Sequence, residues 1–382
     1  MDFALTEDQQ ALQNAAREFA LAQLGYDMIE PDREQQFNRE GWNACAEFGV
    51  HGLPIPEQYG GSGSDMMTTI AVMEGLGYGT HDHGLLFSIN AHMWTNSIPI
   101  LLYGTDEQKQ KYLPKLCDGS LIGANGASEP ESGSDVFSMK TTCVKDGDCY
   151  VLNGTKMWVT NATVADIIVS YATLDPALGS MGVCGFIVER DMPGVTITKK
   201  IEKMGLRTSP MAEIVFDNVR VPVKNRLGRE GRGAEVFGCS MEWERSCILA
   251  SCLGAMERQL QECIRYSRQR KQFGKPISKY QSVANKMVDM RIRIETARPL
   301  VYKIAWIKET IGRNAEAEAA MAKLYLSEAF VASCLDAIQI HGGNGYMTEF
   351  PYERQLRDAV GGKIYSGTNE IQRNIIAQHM GL

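Results

Sequence analysis

Apolar residues recur along the chain with two different periods, and the changes of period divide it into three parts. Up to about residue 120 the spacing is helical. Leu12, Ala16 and Phe19 follow Thr6-Glu7-Asp8-Gln9, a capping-box pattern that predicts a helix start. Helical spacing continues through residues 42–48 and 68–76, and Thr105-Asp106-Glu107-Gln108 is a second capping box ahead of residues 109–116. Gly52-Leu53-Pro54-Ile55-Pro56 and Tyr59-Gly60-Gly61-Ser62-Gly63 read as loops. After Gly119 the runs become short and β-rich: 150–160, 167–172, 184–188, 195–201 and 214–219. Asn153-Gly154 within the first run predicts a type I′ hairpin turn. Pro176, Gly179, Pro193 and Pro210 lie in the loops between these runs, which favours a small β domain. The glycines of Gly228-Arg229-Glu230-Gly231-Arg232-Gly233 do not match the dinucleotide fingerprint and read as a hinge.

Beyond that hinge the period is helical again. Residues 234–281 predict one long helix running into a basic turn, with Leu249, Leu253, Met256, Leu260 and Ile264 forming its apolar stripe. Phe237, Met241 and Ile248 form a second row, and Glu244 lies on it, next to Arg245. A carboxylate among apolar neighbours is costly to bury unless it is paired or used. Burial would raise its pKa and a nearby Arg would lower it. On these residues alone a structural Glu–Arg element is the better account of the pair. Residues 315–340 lack Gly and Pro and are rich in good helix formers. Helices, a β block and helices again predict an α+β fold with regions at 1–120, 121–230 and 231–382.

Composition narrows the function classes. In 382 residues, 44% hydrophobic and 22% charged, the balance is that of a globular protein with more than one packed region. A net charge of −7 without basic blocks argues against nucleic-acid binding and against a polybasic membrane patch. No apolar run reaches the length of a membrane span, and the stretch from Met1 to Leu5 shows no leader pattern. Ten scattered cysteines without a CxxC pair suggest reduced thiols and a cytoplasmic protein. No Cys/His set has zinc spacing, so no metal is expected.

Five ordered stretches carry candidate chemistry. They are Ser128-Glu129-Pro130-Glu131-Ser132-Gly133-Ser134-Asp135; Asn153-Gly154-Thr155-Lys156-Met157-Trp158-Val159-Thr160-Asn161; Arg270-Lys271-Gln272-Phe273-Gly274-Lys275 with Gln281; Gln339-Ile340-His341-Gly342-Gly343-Asn344-Gly345-Tyr346; and Tyr365-Ser366-Gly367-Thr368-Asn369-Glu370-Ile371-Gln372-Arg373. Small hydroxyl residues can face a polar ring edge, and the Arg270 fork suits a diphosphate. Taken singly, they also read as a surface loop, a core Trp, a solvated basic turn and a helix-ending glycine turn. Together they resemble the acyl-CoA dehydrogenase superfamily over almost the whole chain.

The resemblance implies an N-terminal helical domain, a middle antiparallel β domain and a C-terminal four-helix bundle, with FAD as cofactor. It implies that Asn125, Ala127, Ser128, Gly133 and Ser134 line the flavin and substrate, that Trp158 packs against the isoalloxazine and that Thr160 lies near its N5. It further implies that Arg270, Phe273, Gln281, Gln339, Gly342 and Gly343 reach the FAD of a neighbouring subunit in a homotetramer, while Gly367, Thr368 and Glu370 close over the cofactor. Most members carry the catalytic base as a Glu immediately before the Gly-Thr of the fifth stretch, where this chain has Ser366. A minority branch carries it on the long helix before an Arg, which here is Glu244 ahead of Arg245. Glu244 is therefore the expected base for the α-proton of an acyl thioester, with hydride leaving the β-carbon for flavin. Ser134, Arg245 and Ser366 are expected on the substrate side.

Over its whole length the chain looks like the L-prolyl-carrier-protein dehydrogenases of natural-product pathways, the cyanobacterial anatoxin-pathway type above all. On that reading the substrate is L-prolyl on a phosphopantetheinyl carrier protein, and the helix face around Glu242 and Arg245 meets the arm. The alternatives are a short- or branched-chain acyl-CoA dehydrogenase, a flavin monooxygenase on the same fold, or a non-catalytic member that has lost its base. An electron-transfer flavoprotein or oxygen would be the acceptor.

Overall fold

The computed structural model describes residues 4–312 and 314–382. Met1 to Phe3, part of the stretch without a leader pattern, lie outside the described residues. Among the described residues seven helices come first: α1 (Glu7–Gln23), α2 (Ile29–Arg33), α3 (Arg39–Glu47), α4 (Met66–Gly79), α5 (His83–His92), α6 (Ile98–Tyr103) and α7 (Asp106–Cys117). Both capping boxes form, with Thr6 accepting from the Gln9 amide and Thr105 from the Gln108 amide. Helices α5 and α6 are joined by a π-helical turn, Met93–Ser97, and this element has no counterpart in the sequence pattern. The reason is burial: every residue of α5 is inside, so no polar face marks the period.

Strands β1 (Gly123–Gly126), β2 (Thr142–Asp146), β3 (Cys149–Thr160), β4 (Ile167–Thr173), β5 (Val183–Glu189), β6 (Val195–Ile197), β7 (Met211–Pro222) and β8 (Arg226–Leu227) form one sheet. Its order is β6-β7-β3-β2-β4-β5-β8, with β1 added beside β4. Pairing is antiparallel except for β1 on β4 and a single bridge between β2 and β4. Asn153-Gly154 is not the turn expected from its dipeptide. It lies inside β3 at a register shift against β7, and a Cβ on Gly154 would come within 2.3 Å of the Thr141 hydroxyl. The hairpin turn falls instead at Gly147 and Asp148, between the paired Asp146 and Cys149. Strand pairing on both sides overrides the local preference of Asn-Gly.

The remaining elements are α8 (Gly233–Cys247), α9 (Ala250–Gln269), the small hairpin β9 (Lys271–Gln272) and β10 (Lys275–Pro276), α10 (Gln281–Trp306), α11 (Glu316–His341), α12 (Gly343–Tyr346), α13 (Tyr352–Gly361) and α14 (Asn369–His379). The single long helix expected over 234–281 is thus two helices, stepped at Ile248–Leu249, and it ends before the basic hairpin. The step lets each half follow its own partner: α8 lies on β5 and the π-turn, α9 on α4. Helices α9, α10 and α11 pack together, with α13 and α14 against α11. Helices from both ends of the chain share one core, while a second core fills the sheet around Tyr150, Phe186 and Phe216.

Helices α4 and α9 touch backbone to backbone. A Cβ at Gly77 would fall 1.8 Å from the Ser251 carbonyl oxygen, and one at Gly254 would fall 1.9 Å from that of Glu74. Gly254→Ala is therefore expected to cost about 1–3 kcal/mol or more through overpacking, read as a lower Tm in a thermal melt. An unchanged melt would mean that the crossing is loose.

Candidate active site

Helix α8 is seated on the sheet at Gly233, where a Cβ would come within 2.6 Å of the Cys184 carbonyl carbon. From that seat Phe237, Met241, Glu244 and Ile248 follow one face. The Phe237 ring meets Phe137 at 5.9 Å and Tyr171 at 5.5 Å, both edge-on. Tyr171 points this way because β4 alternates: Ile167, Val169 and Tyr171 join the helical core, while Ile168 and Ala172 join the sheet's own core. Among the described residues the buried Tyr171 hydroxyl makes no well-formed hydrogen bond, although the side chains of Ser240 and Asn125 lie beside it.

Glu244 is 7% exposed, and burial pushes its pKa up to about 7 against the opposing pull of Ser366, Arg245 and Lys323. The Ser366 hydroxyl donates to Glu244 Oε1 at 2.9 Å. Ser366 belongs to the turn between α13 and α14, where Ser366 (φ +57) and Gly367 (φ +86) are both left-handed. A left-handed serine is strained and must be held by its surroundings. Arg245 Nε donates to the Ser366 carbonyl at 3.2 Å, and Gln372 Nε2 donates to the carbonyls of Ser366 and Gly367 at 3.2 and 2.8 Å. Thr368 caps α14 by accepting from the Ile371 amide. Arg245 is thus committed to the turn, and Glu242 is held in a 2.8 Å ion pair with Lys308.

A second cation completes the cluster. Lys323 of α11 is 1% exposed and donates to the Gly367 carbonyl at 2.9 Å and to Asn369 Oδ1 at 3.2 Å. Burial, reinforced by Arg245, brings its pKa down to about 7. No motif pointed to Lys323, yet the signal was the one that singled out Glu244: a charge on an apolar helix face. Ala319, Ala320, Leu326 and Ser327 surround it at helical spacing and are all buried.

The sheet contributes the other wall. Asn125 lies in β1, and its amide approaches the Thr95 carbonyl of the π-turn at 3.5 Å. The Met157 amide donates to the Ser128 carbonyl at 2.9 Å, so the segment after β1 rests on β3. Between Lys156 and Val159 the register of β3 shifts, and Trp158 is thrown outward with φ +55 and 48% exposure. Beneath it Lys156 Nζ, fully buried, contacts Glu129 Oε1 at 2.7 Å, and Glu129 also accepts from the amides of Lys140 and Thr141. Gly133 and Ser134 are exposed, on a tight turn in which the Ser132 hydroxyl donates to the Asp135 carbonyl. Thr160 ends β3, half-buried, and Ala127 is buried above the Lys156 ammonium.

The remaining predicted residues gather elsewhere. Tyr266 of α9 packs on His341 of α11 at 4.3 Å, and His341 stacks on Tyr352 at 3.8 Å. This stack joins the last turns of α9 and α11, the helices that lead into Arg270 and into Gly342 and Gly343. Phe273 is 95% exposed, and Arg270, Gln281, Gln339, Gly342 and Gly343 are exposed as well. Glu244 precedes α9 and Arg270 follows it, so the two groups lie at opposite ends of a 20-residue helix, about 30 Å long at ~1.5 Å per residue.

Three family models match in order: acyl-CoA dehydrogenase N-terminal domain over residues 6–120, middle domain over 124–219 and C-terminal domain over 231–381. The chain belongs to the acyl-CoA dehydrogenase family. Within it, the chain is 42% identical over 352 residues to an L-prolyl-[peptidyl-carrier protein] dehydrogenase of Pseudomonas fluorescens, covering 92% of each. The crystal structure of the prolyl acyl carrier protein oxidase AnaB superimposes with a TM-score of 0.97 at 51% identity, covering 99% of this chain and 100% of AnaB. PigA, in a structure with FAD and proline, gives a TM-score of 0.97 at 39% identity over all of both chains.

FAD suits the residues present. An outward, strained Trp158 offers an aromatic face, the neighbouring Met157 amide ties its strand to the Ser128 segment, and Thr160 follows two residues on. Among the described residues a Cβ at Gly133, Gly342 or Gly343 would meet nothing within 4 Å, so all three backbones face open space. In this member of the family Ser366, at the position where the resemblance expects the base, donates a hydrogen bond to the helix-borne Glu244 carboxylate.

Proposed function

We propose that this protein is an FAD-dependent oxidase or dehydrogenase of an L-prolyl thioester carried on a phosphopantetheinyl carrier protein, with Glu244 as the base. The observation that carries the reading is the buried Glu244 with its pKa near 7, held by Ser366 in place of the usual base. Bound FAD would supply the hydride acceptor. Glu244 takes the α-proton, and Ser366 keeps its carboxylate aimed as it does so. Arg245 and Lys323 hold the Ser366–Gly367 turn and stabilise the anionic carboxylate before proton transfer.

Trp158, Thr160, Asn125, Ala127, Ser128, Gly133 and Ser134 hold the flavin and substrate from the sheet side, and Gly367, Thr368 and Glu370 from α14. Arg270, Phe273, Gln281, Gln339, Gly342 and Gly343 serve the FAD of a neighbouring copy in a homotetramer. The ~30 Å separation of the two groups within one protomer supports that division. Ten free thiols suit a reducing, cytoplasmic setting, with an electron-transfer flavoprotein or oxygen as acceptor.

The test is mass spectrometry of an L-prolyl-loaded carrier protein after incubation with the holoenzyme, with isovaleryl-CoA as the comparison. Loss of one or two hydrogen pairs from the carrier-bound prolyl group is expected. Oxidation of the CoA thioester alone would replace this reading with that of an acyl-CoA dehydrogenase of catabolism. Because the base works as a carboxylate, the rate of flavin bleaching should fall as pH drops through about 7.

A further inference from the structure

One surface next to this site is both apolar and basic on a chain whose net charge is −7. The turn Pro176–Gly182 exposes Leu178 (46%) and Met181 (74%). It lies against the Val136–Ser138 turn, which follows Ser134, and against α8. Gly231 (φ +71) abuts it so closely that a Cβ there would fall 2.7 Å from the Met181 carbonyl oxygen. Arg229 and Arg232 flank Gly231 and line an open groove of about 360 Å³ with Leu102, Tyr103 and Glu235.

The charges here are available to a partner. Arg232 pairs with Glu235 at 2.7 Å, but both side chains are more than half exposed, and such a pair contributes little. Glu230 is turned toward Tyr150 and Arg226. Among the described residues Arg229 has no carboxylate within ion-pair distance. Cations kept beside exposed apolar side chains on an acidic protein fit a partner face that is apolar and acidic.

Position gives the same answer. Arg232, at the start of α8, stands twelve residues before Glu244, about 18 Å along the helix axis at ~1.5 Å per residue. An extended phosphopantetheine arm can bridge that span. We infer that Leu178, Met181, Arg229 and Arg232 form the docking face for an acidic, partly apolar surface of the carrier domain, whose arm then reaches toward Glu244. The inference rests on the carrier-bound reading above.

The test compares two substrates of one holoenzyme: L-prolyl carrier protein and the small thioester L-prolyl-pantetheine. In the variants Arg229→Glu/Arg232→Glu and Met181→Asp, KM for the carrier substrate should rise about tenfold or more, with kcat little changed. Kinetics with L-prolyl-pantetheine should stay as in wild type, and added salt should raise KM only for the carrier substrate. Equal losses on both substrates, or no change on either, would overturn the docking face while leaving the substrate reading intact. Slower reoxidation by an electron-transfer flavoprotein with unchanged flavin reduction by the carrier substrate would assign the face to the electron acceptor and overturn the proposal. A wild-type enzyme that ignores the prolyl carrier and oxidises acyl-CoA would overturn the substrate reading, and the docking face with it.

Discussion

Replacing Glu244 by Gln is expected to slow bleaching of the bound flavin by substrate about 10²–10⁴-fold, the usual contribution of a general base. The measurement is an anaerobic stopped-flow trace at the flavin absorbance. Gln keeps an oxygen that can accept from the Ser366 hydroxyl, now 2.9 Å from Glu244 Oε1, so the turn and the bound FAD should be retained. The fold should not suffer either. A carboxyl whose folded pKa is raised to about 7 loses stabilising effect as pH rises from the ordinary glutamate range through 7. Wild type should therefore lose some stability over that window, and the Gln variant should not. Ser366→Ala removes a donor that favours the anion, so its activity inflection should move above 7 while the alkaline plateau stays within about tenfold of wild type. Rapid bleaching in Glu244→Gln together with a dead Ser366→Ala would place the base near residue 366 instead.

Lys156→Met should be the most damaging substitution for stability. Lys156 and Glu129 are 0% and 5% exposed in their side chains, 2.7 Å apart, and removing one partner strands a buried carboxylate at a cost of about 3–5 kcal/mol. Burial alone would raise the Glu129 pKa, but Lys156 and the donors at Thr141 and Lys140 hold it below the ordinary range. The pair's stabilisation is thus present at neutral pH and is lost as pH falls through that lowered value. Because Lys156 also reaches the Ala127 carbonyl, the segment leading to Ser128 and Gly133 should loosen, and FAD content should fall along with Tm. Lys156→Met/Glu129→Gln, which leaves no buried charge, should recover much of the loss. A Lys156→Met protein with wild-type Tm and full flavin content would show that the ion pair supports neither the sheet nor the site.

Much of the fold follows from local rules that any stretch of chain carries with it. The capping boxes at Thr6 and Thr105 start helices wherever they stand, and the stripe from Leu249 to Ile264 needs only a core to face. The α5–α6 segment escaped the same reasoning because a helix buried on every side has no polar face to mark its period. Asn153-Gly154 was misleading because pairing with β7 on one side and the close approach of Thr141 on the other outweigh the turn preference of two residues.

The candidate site divides along the same line. Glu244 stood out in the sequence because a carboxylate on an apolar row is costly anywhere, and Ser366 stood out because it departs from a recognisable motif. What neither residue reveals is that they meet. Ser366 follows Glu244 by 122 positions, and its hydroxyl reaches the carboxylate only because Arg245, Gln372 and Lys323 hold a strained turn from three different helices. Residue type and helical period are local properties, so the sequence alone determined the buried faces of the amphipathic helices such as α9. The pKa near 7 that would suit Glu244 to the proposed role of base is a sum over solvent excluded by α8, α11 and the Ser366 turn together with the charges they carry. That sum exists only after distant segments have packed, and the tertiary structure alone decides it.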